Sequence, residues 1–350
     1  MSRVYLDHNA TTPLRVEARD AMIAAMDLVG NPSSVHAEGR AAKGLVEVAR
    51  AQVAEAVGAS GADVVFVSGA TEAAALALAG RGLVCSGLEH AAVAAWCDPA
   101  LPVVDGRVVV AEPVQSVVQL ANSETGLVQD LPQGLAVSDL TQGFGKVPFS
   151  FSWAGVGMVF LSAHKFGGPK GIGALIFPAG TDVAAQIKGG GQEMGRRSGT
   201  ENVTAIAGFG AACAAAQKDL SDGRWDRVAE LRNILEKAIE SDASDITFVA
   251  QAHDRLPNTS CFIANGWKGE TQVMALDLAG FAISAGSACS SGKVKASPVL
   301  AALGYDDDAA RCAVRVSLGI ETTEDDVMRF AQTWTKTYAR AIARGQISEG

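Results

Sequence analysis

The sequence predicts an α/β protein: a large domain with a mainly parallel sheet flanked by helices, then a smaller α+β domain at the C-terminal end. Three observations predict it. Helical and strand-like periodicities alternate up to about residue 240. The strand-like runs in that region are short, β-branched and apolar, as buried strands are. From near Ser241 the pattern changes to several short strands closed by one long amphipathic helix.

In chain order, PLRVEARDAMIAAM (13–26) and AAKGLVEVARAQVAEAV (41–57) carry apolar residues at helical spacing. DVVFVS (63–68), RVVVAEP (107–113) and GALIFPA (173–179) read as buried strands. Strands separated by helices imply a sheet whose ligands bind at its carboxyl edge. ITFVA, TSCFIAN, FAISAG and AVRVSLG are the short strands of the second domain, and 322–344, opened by Thr and acidic residues, is its closing helix. The expected division is an arm, 1–14, packing with the small domain, a large domain, 15–240, and the small domain, 241–350. No internal repeat or low-complexity linker interrupts it.

Composition narrows the function. A chain of 350 residues, 48% of them hydrophobic, can bury a large core. With 29 basic against 38 acidic residues and a net charge of -9, no Lys/Arg run tracks a phosphate backbone, so nucleic acid is not an expected partner. No apolar run has the length to cross a bilayer, and MSRVYLDHNATTPL lacks a charged leader ahead of an apolar stretch; a cytoplasmic protein without a membrane partner is expected. The six cysteines, Cys85, Cys97, Cys213, Cys261, Cys289 and Cys312, form no CxxC pair, which argues against a zinc site or a disulfide framework and leaves most of them as small core residues.

Chemistry concentrates in a few stretches. VVFVSGATEAAALALAG runs from a strand through Ser68, Gly69, Ala70 and Thr71 into a helix, where free amides, a hydroxyl and the positive helix end suit an anion; a simple helix cap reads equally well. Asp139 follows an apolar run, so burial would demand a cation such as a protonated ring nitrogen, with a turn cap as the plain alternative. Asn122 in QLANSETG is open to the same plain explanation. In SAHKFGGPKG, Lys165 follows His164 among three glycines and a proline, a density no helix tolerates. Burial beside positive charge would free that amine to form a Schiff base. Ser162 and His164 could then hold a phosphate. Together these features match pyridoxal 5'-phosphate, PLP, a phosphate-bearing aldehyde with a pyridine nitrogen and a phenolic oxygen.

The sequence resembles the cysteine desulfurases, PLP enzymes of fold type I in the class V aminotransferase group. The resemblance rests on YLDHNATTP, NPSSVH, SGATE, LEH, ANSETG, Asp139 to Lys146, SAHKFGGPKG, GGGQEMGRRSGTEN, SAGSACSSG and VRVSLG, in the family's order. It implies that L-cysteine is converted to L-alanine while its sulfur passes to an acceptor protein, such as an iron–sulfur scaffold. Lys165 would carry the cofactor aldehyde and shuttle protons, Asp139 would pair with the pyridinium nitrogen, and His90 would stack on the ring. Gln142 would bond the phenolic oxygen, and Asn122 would contact cofactor or substrate. Ala70, Thr71, Ser162 and His164 would hold the phosphate, joined by Thr200 of a second subunit in a homodimer. Arg315 would clamp the substrate carboxylate. Cys289, among Gly, Ser and Ala, would attack the substrate sulfur and carry it as a persulfide. The stretch from Cys289 to Gly304 resembles the longer-loop subgroup that serves scaffold proteins.

The chain also departs from the family. The intervals between SGATE, LEH, ANSETG and Asp139 are short, leaving less room for helices and strands; Met194 stands where arginine is common, and Ala73, Ala74 and Ala75 replace polar residues. Two alternatives stay open: a related PLP lyase or aminotransferase, such as a selenocysteine lyase, in which Cys289 is incidental, and a non-catalytic homologue.

Overall fold

Strand Ala62–Val67 shows how the large core is built. Val64 and Phe66 enter one hydrophobic cluster and Val65 and Val67 another, so successive side chains are buried on opposite faces. The same division holds along Met158–Ser162 and Gly173–Pro178. In the computed structural model, which describes residues 3–243, 245–286 and 296–348 and side chains to residue 343, these strands order as Ala62–Val67, Gly173–Pro178, Met158–Ser162, Val137–Asp139.

Gly173–Pro178 runs antiparallel to both neighbours, and Met158–Ser162 pairs parallel with Val137–Asp139. Parallel bridges Val117 to Val137 and Val84 to Ser116 extend the pairing toward Val84–Ser86, itself parallel to Asp98–Leu101. The sheet is therefore mainly parallel, as expected. Helices Val16–Met26, Ala37–Ala56 and Val203–Ser221 cover one face and Ala70–Leu78 the other. Val203–Ser221 lies close against Ala37–Ala56 because Gly210 has no side chain: a Cβ there would come within 2.7 Å of Ala49 Cα.

The stretch 107–113 is not the buried strand its composition suggests. Only Arg107–Val108 is a strand, paired with Val103–Val104 in a surface hairpin. The local turn decides this: Asp105 and Gly106 both have positive φ, 46° and 71°, the conformation an Asp-Gly hairpin turn requires, and Val109 is left exposed.

The second unit is an antiparallel sheet ordered Ile246–Phe248, Thr259–Ala264, Ala313–Ser317, Ser284–Ala285, backed by helices Arg224–Asp242 and Glu324–Ser348. Its core centres on fully buried Trp334, stacked on Tyr338 and edge-on to Phe262. Val4 and Leu6 join this core, and Val4–Tyr5 pairs parallel with Phe281–Ala282, so the N-terminal arm is held by the second unit. Trp225, Val228, Leu231 and Leu235 belong to it too; helix Arg224–Asp242, expected at the end of the large domain, therefore packs with the small one. No helix among the described residues is long and apolar enough to cross a membrane.

Candidate active site

Four strand ends deliver the site. Asp139 ends Val137–Asp139, Ser162 ends the next strand and leads into the turn holding His164 and Lys165, Ser68 to Thr71 follow Ala62–Val67, and His90 lies just past Val84–Ser86. All open on one cavity of about 730 Å³, completed by Gln142 and, from the second unit, Ser284 and Arg315. The cavity thus lies at the carboxyl edge of the sheet, against the antiparallel one.

Lys165 Nζ donates to the main-chain carbonyls of Asn9 and Ala10, at 2.8 and 3.0 Å. The Asn9 carbonyl also accepts from Gln142 Nε2 at 2.9 Å, so arm, lysine and glutamine meet on one oxygen. Lys146 Nζ lies behind, 3.2 Å from Gln142 Oε1 and 3.5 Å from Asn9 Oδ1. Burial, and then the charges of Lys165 and Arg315, pull the Lys146 amine down to about 7.

Asp139 is buried, and burial pushes its carboxyl above the ordinary range; the Thr141 amide, at 2.7 Å from Oδ1, and the charges of His90 and Lys165 oppose that rise. His90 caps the short helix Ala91–Ala94, its Nδ1 accepting the Ala92 amide at 3.1 Å. A neutral ring then carries its proton on Nε2. His164 Nδ1 is 3.2 Å from Thr11 Oγ1, and burial followed by Lys165 and Lys170 lowers it to about 4, keeping it neutral at neutral pH.

At the Ser68–Thr71 turn, helical bonding starts with the Ala73 amide, leaving the amides of Ala70 and Thr71 ahead of it without intrahelical partners. Glu72 is occupied: it accepts the Ser68 amide and pairs with Arg197 at 2.9 Å. Arg315 is buried, ion-paired to Asp7 at 2.7 Å, donates to the Ser123 carbonyl at 3.0 Å, and has a buried Nε with no acceptor among the described residues.

One expected residue is not brought to this cavity. Asn122 does not line it: Nδ2 donates to Leu88 O and Oδ1 accepts from Glu124, Thr125 and the Thr125 hydroxyl, so its carboxamide is spent shaping its own turn. Thr200 is exposed and lines a neighbouring hollow of about 210 Å³ that shares Ser68 and Gly171 with the main cavity. Cys289 lies outside the described residues. Asp7, Asn9, Thr11, Glu124 and Lys146 also fall inside the family-like stretches, yet nothing in the sequence singles any of them out. Met194 is exposed, next to buried Glu193, and both have positive φ, 58° and 48°.

The sequence profile of the family "Aminotransferase class-V" matches residues 4–100 and 108–330, leaving out 101–107, the hairpin region. A cysteine desulfurase of Cereibacter sphaeroides is 38% identical over 95% of each chain. The chain belongs to the cysteine desulfurases of the class V aminotransferase family. A solved NifS-like protein from Rickettsia africae superimposes with a TM-score of 0.86 at 31% identity, covering 96% of this chain and 99% of that one. A structure titled "SspA in complex with cysteine" gives 0.73 at 26% identity, over 91% and 100%. The fold is accordingly that of the fold type I PLP enzymes, and the family's cofactor is PLP.

The residues present fit that cofactor. A carboxyl held buried and short of countercharge suits a protonated ring nitrogen, an amine stands in the same cavity as Asp139, and unpaired amides at a helix start suit a phosphate.

Proposed function

We propose that this cysteine desulfurase passes the sulfur of L-cysteine through Cys289 to an acceptor protein of iron–sulfur or other thio-cofactor assembly, with L-alanine as the second product. What supports the site most is that Lys165, Asp139, His90 and Arg315, from four separate stretches, line one cavity. The cysteine-bound structure among the fold relatives supports the substrate.

In this reading Lys165 holds the cofactor aldehyde, Asp139 its ring nitrogen, His90 its ring face and Gln142 its phenolic oxygen. Ala70, Thr71, Ser162 and His164 hold its phosphate. When bound, PLP supplies an electron sink for the pair left on the substrate carbon. Arg315 Nε and the remaining guanidinium hydrogens take the substrate carboxylate, orienting the α-hydrogen toward Lys165. Lys165 removes that proton and returns one to the carbon skeleton. The Cys289 thiolate forms a bond to the substrate sulfur as the carbon–sulfur bond breaks, its electron pair staying with the carbon that ends as the alanine methyl.

A homodimer is part of the proposal: exposed Thr200 is available to the phosphate site of a second copy. The five cysteines among the described residues are free and buried, which supports a reducing, cytoplasmic setting. Incubation with L-cysteine followed by mass spectrometry tests the reading. Added sulfur on the Cys289 peptide is expected, and Cys289→Ser should keep the cofactor but lose sulfide release. A Cys289→Ser variant with full turnover would overturn it.

A further inference from the structure

Lys146 is buried, only 4% exposed, and no motif gives it a task. Its two hydrogen-bond partners are neutral amide oxygens, Gln142 Oε1 and Asn9 Oδ1. Asn9 also receives Lys165 on its main-chain oxygen. Two amines are thus fastened to the two oxygens of one asparagine. The Asn9 side chain is itself fixed by Asn258, donating to Oδ1 at 3.0 Å, and by its own donation to Thr259 Oγ1 at 2.9 Å.

That geometry settles which way Gln142 faces. A carboxamide can be turned over with little change in shape, and only its partners choose the orientation. With an ammonium as neighbour, the oxygen must face Lys146, so the NH2 group faces the Asn9 carbonyl and the cavity. The Asn9 carbonyl, an acceptor only, demands the same orientation from its side, so Lys146 holds the oxygen end of a carboxamide whose NH2 end Asn9 holds.

The charges around Lys146 also matter. Lys165 follows strand Met158–Ser162, Arg315 lies on Ala313–Ser317, and His8, kept neutral by burial down to about 4, is on the arm. Asp7, beside His8, is already taken by Arg315. Lys146 and Lys165 also line a second cavity of about 450 Å³, whose other charged residues are Arg15, Glu17, Arg224 and Glu321. The Lys165 charge opposes a second positive charge at Lys146, so Lys146 holds its proton more readily when the Lys165 nitrogen is neutral.

We propose that Lys146 is a positioning residue for the desulfurase reaction: together with the Asn9 carbonyl it clamps the Gln142 carboxamide with its donor toward the cofactor site, and it retains the positive charge behind Lys165 when the Lys165 nitrogen is neutral. The proposal rests on the assignment of Lys165 as cofactor lysine. It predicts that Lys146 acts through Gln142.

The test is a double-mutant cycle read by spectroscopy. PLP-loaded wild type, Lys146→Met, Gln142→Leu and the double variant are titrated with acid and base, following the absorbance change that reports protonation at the Lys165 nitrogen. Losing a buried cation and an oriented donor favours protonation, so Lys146→Met should raise the midpoint by about one pH unit. Gln142→Leu should move it the same way, and the double variant should fall short of the sum. Lys146→Arg, which keeps donor and charge, should restore most of the wild-type midpoint. Lys146→Gln, a neutral donor, should restore only part, and carries the comparison if the methionine variant does not fold.

Thermal melts of the cofactor-free proteins show whether any variant is merely unstable, since a general loss of stability would not shift a spectroscopic midpoint in the loaded fraction. A midpoint in Lys146→Met within about 0.2 unit of wild type, or effects of the two single changes that simply add, would overturn the inference. Absence of any titrating band in wild type would instead overturn the assignment of Lys165.

Discussion

Arg315 is tied to Asp7 by a 2.7 Å ion pair that spans the second unit's sheet and the N-terminal arm. In the proposed reading, the substrate's carboxylate joins a guanidinium that already has one carboxylate and the Ser123 carbonyl. A planar fork with five donors can grip a carboxylate with two of them while serving the others; an ammonium has three donors and no such fork.

Arg315→Lys should raise KM for L-cysteine about tenfold or more while changing kcat less, the pattern of lost binding shared by ground and transition states. Steady-state kinetics of alanine formation check this. An unchanged KM would make the Asp7–Arg315 pair purely structural.

Asp139→Asn should fold normally, because an amide oxygen still accepts the Thr141 N–H that Asp139 now binds. Turnover should nonetheless fall about 100-fold or more, since a neutral group no longer stabilises a protonated ring nitrogen. The two results, an unchanged melting curve and a collapsed kcat, are expected together.

Glu124 gives the pH dependence. Burial pushes its carboxyl up to about 7, against the hydrogen bond from Ser297 and the charge of Arg315; its other oxygen is buried without a partner among the described residues. Its affinity for a proton is higher folded than unfolded, so its stabilising contribution is complete below the ordinary value of 4.5 and is lost as pH rises to about 7. Glu124→Gln should remove that loss, up to about 3 kcal/mol, and flatten urea midpoints over this range. His8 and His164, both lowered to about 4, act oppositely, with stability lost as pH falls, and are unaffected by the substitution.

Much of this site is legible in the sequence because its residues end strands: Asp139, Ser162 and Lys165 follow apolar runs, and a parallel sheet gathers such ends on one edge. Asn122 is different. Its side chain satisfies amides two and three residues onward, a local demand that motif likeness does not register. Asn9 and Ala10 serve Lys165 through main-chain oxygens, which leave no mark in a sequence. The stretch 107–113 misleads because its composition suits a strand while the Asp105–Gly106 turn, read only in space, brings it to the surface. Helix Arg224–Asp242 packs with the second unit for a similar reason: periodicity defines its apolar face but not the neighbour that covers it.

Glu193 makes the loop before Thr200 a stability element. Its buried carboxylate accepts from both terminal nitrogens of Arg50, at 2.9 and 3.1 Å, and from the Phe66 amide at 2.9 Å. Glu193→Ala would leave the Phe66 amide unmet and take from Arg50 its buried carboxylate, leaving it Glu47 and the Val64 carbonyl, so a loss of about 2 kcal/mol is expected in chemical denaturation. A loss below about 0.5 kcal/mol would show that the loop is held by other contacts.

The central claim is that one lysine carries the cofactor, and three lysines are near enough to be tested: Lys165 and Lys170 line the cavity, and Lys146 lies behind it. Borohydride reduction of the PLP-loaded protein, followed by peptide mapping, decides among them. The account predicts the reduced cofactor on Lys165 alone and none in a Lys165→Ala variant. Label on Lys146 or Lys170, or no stable label at all, would contradict it.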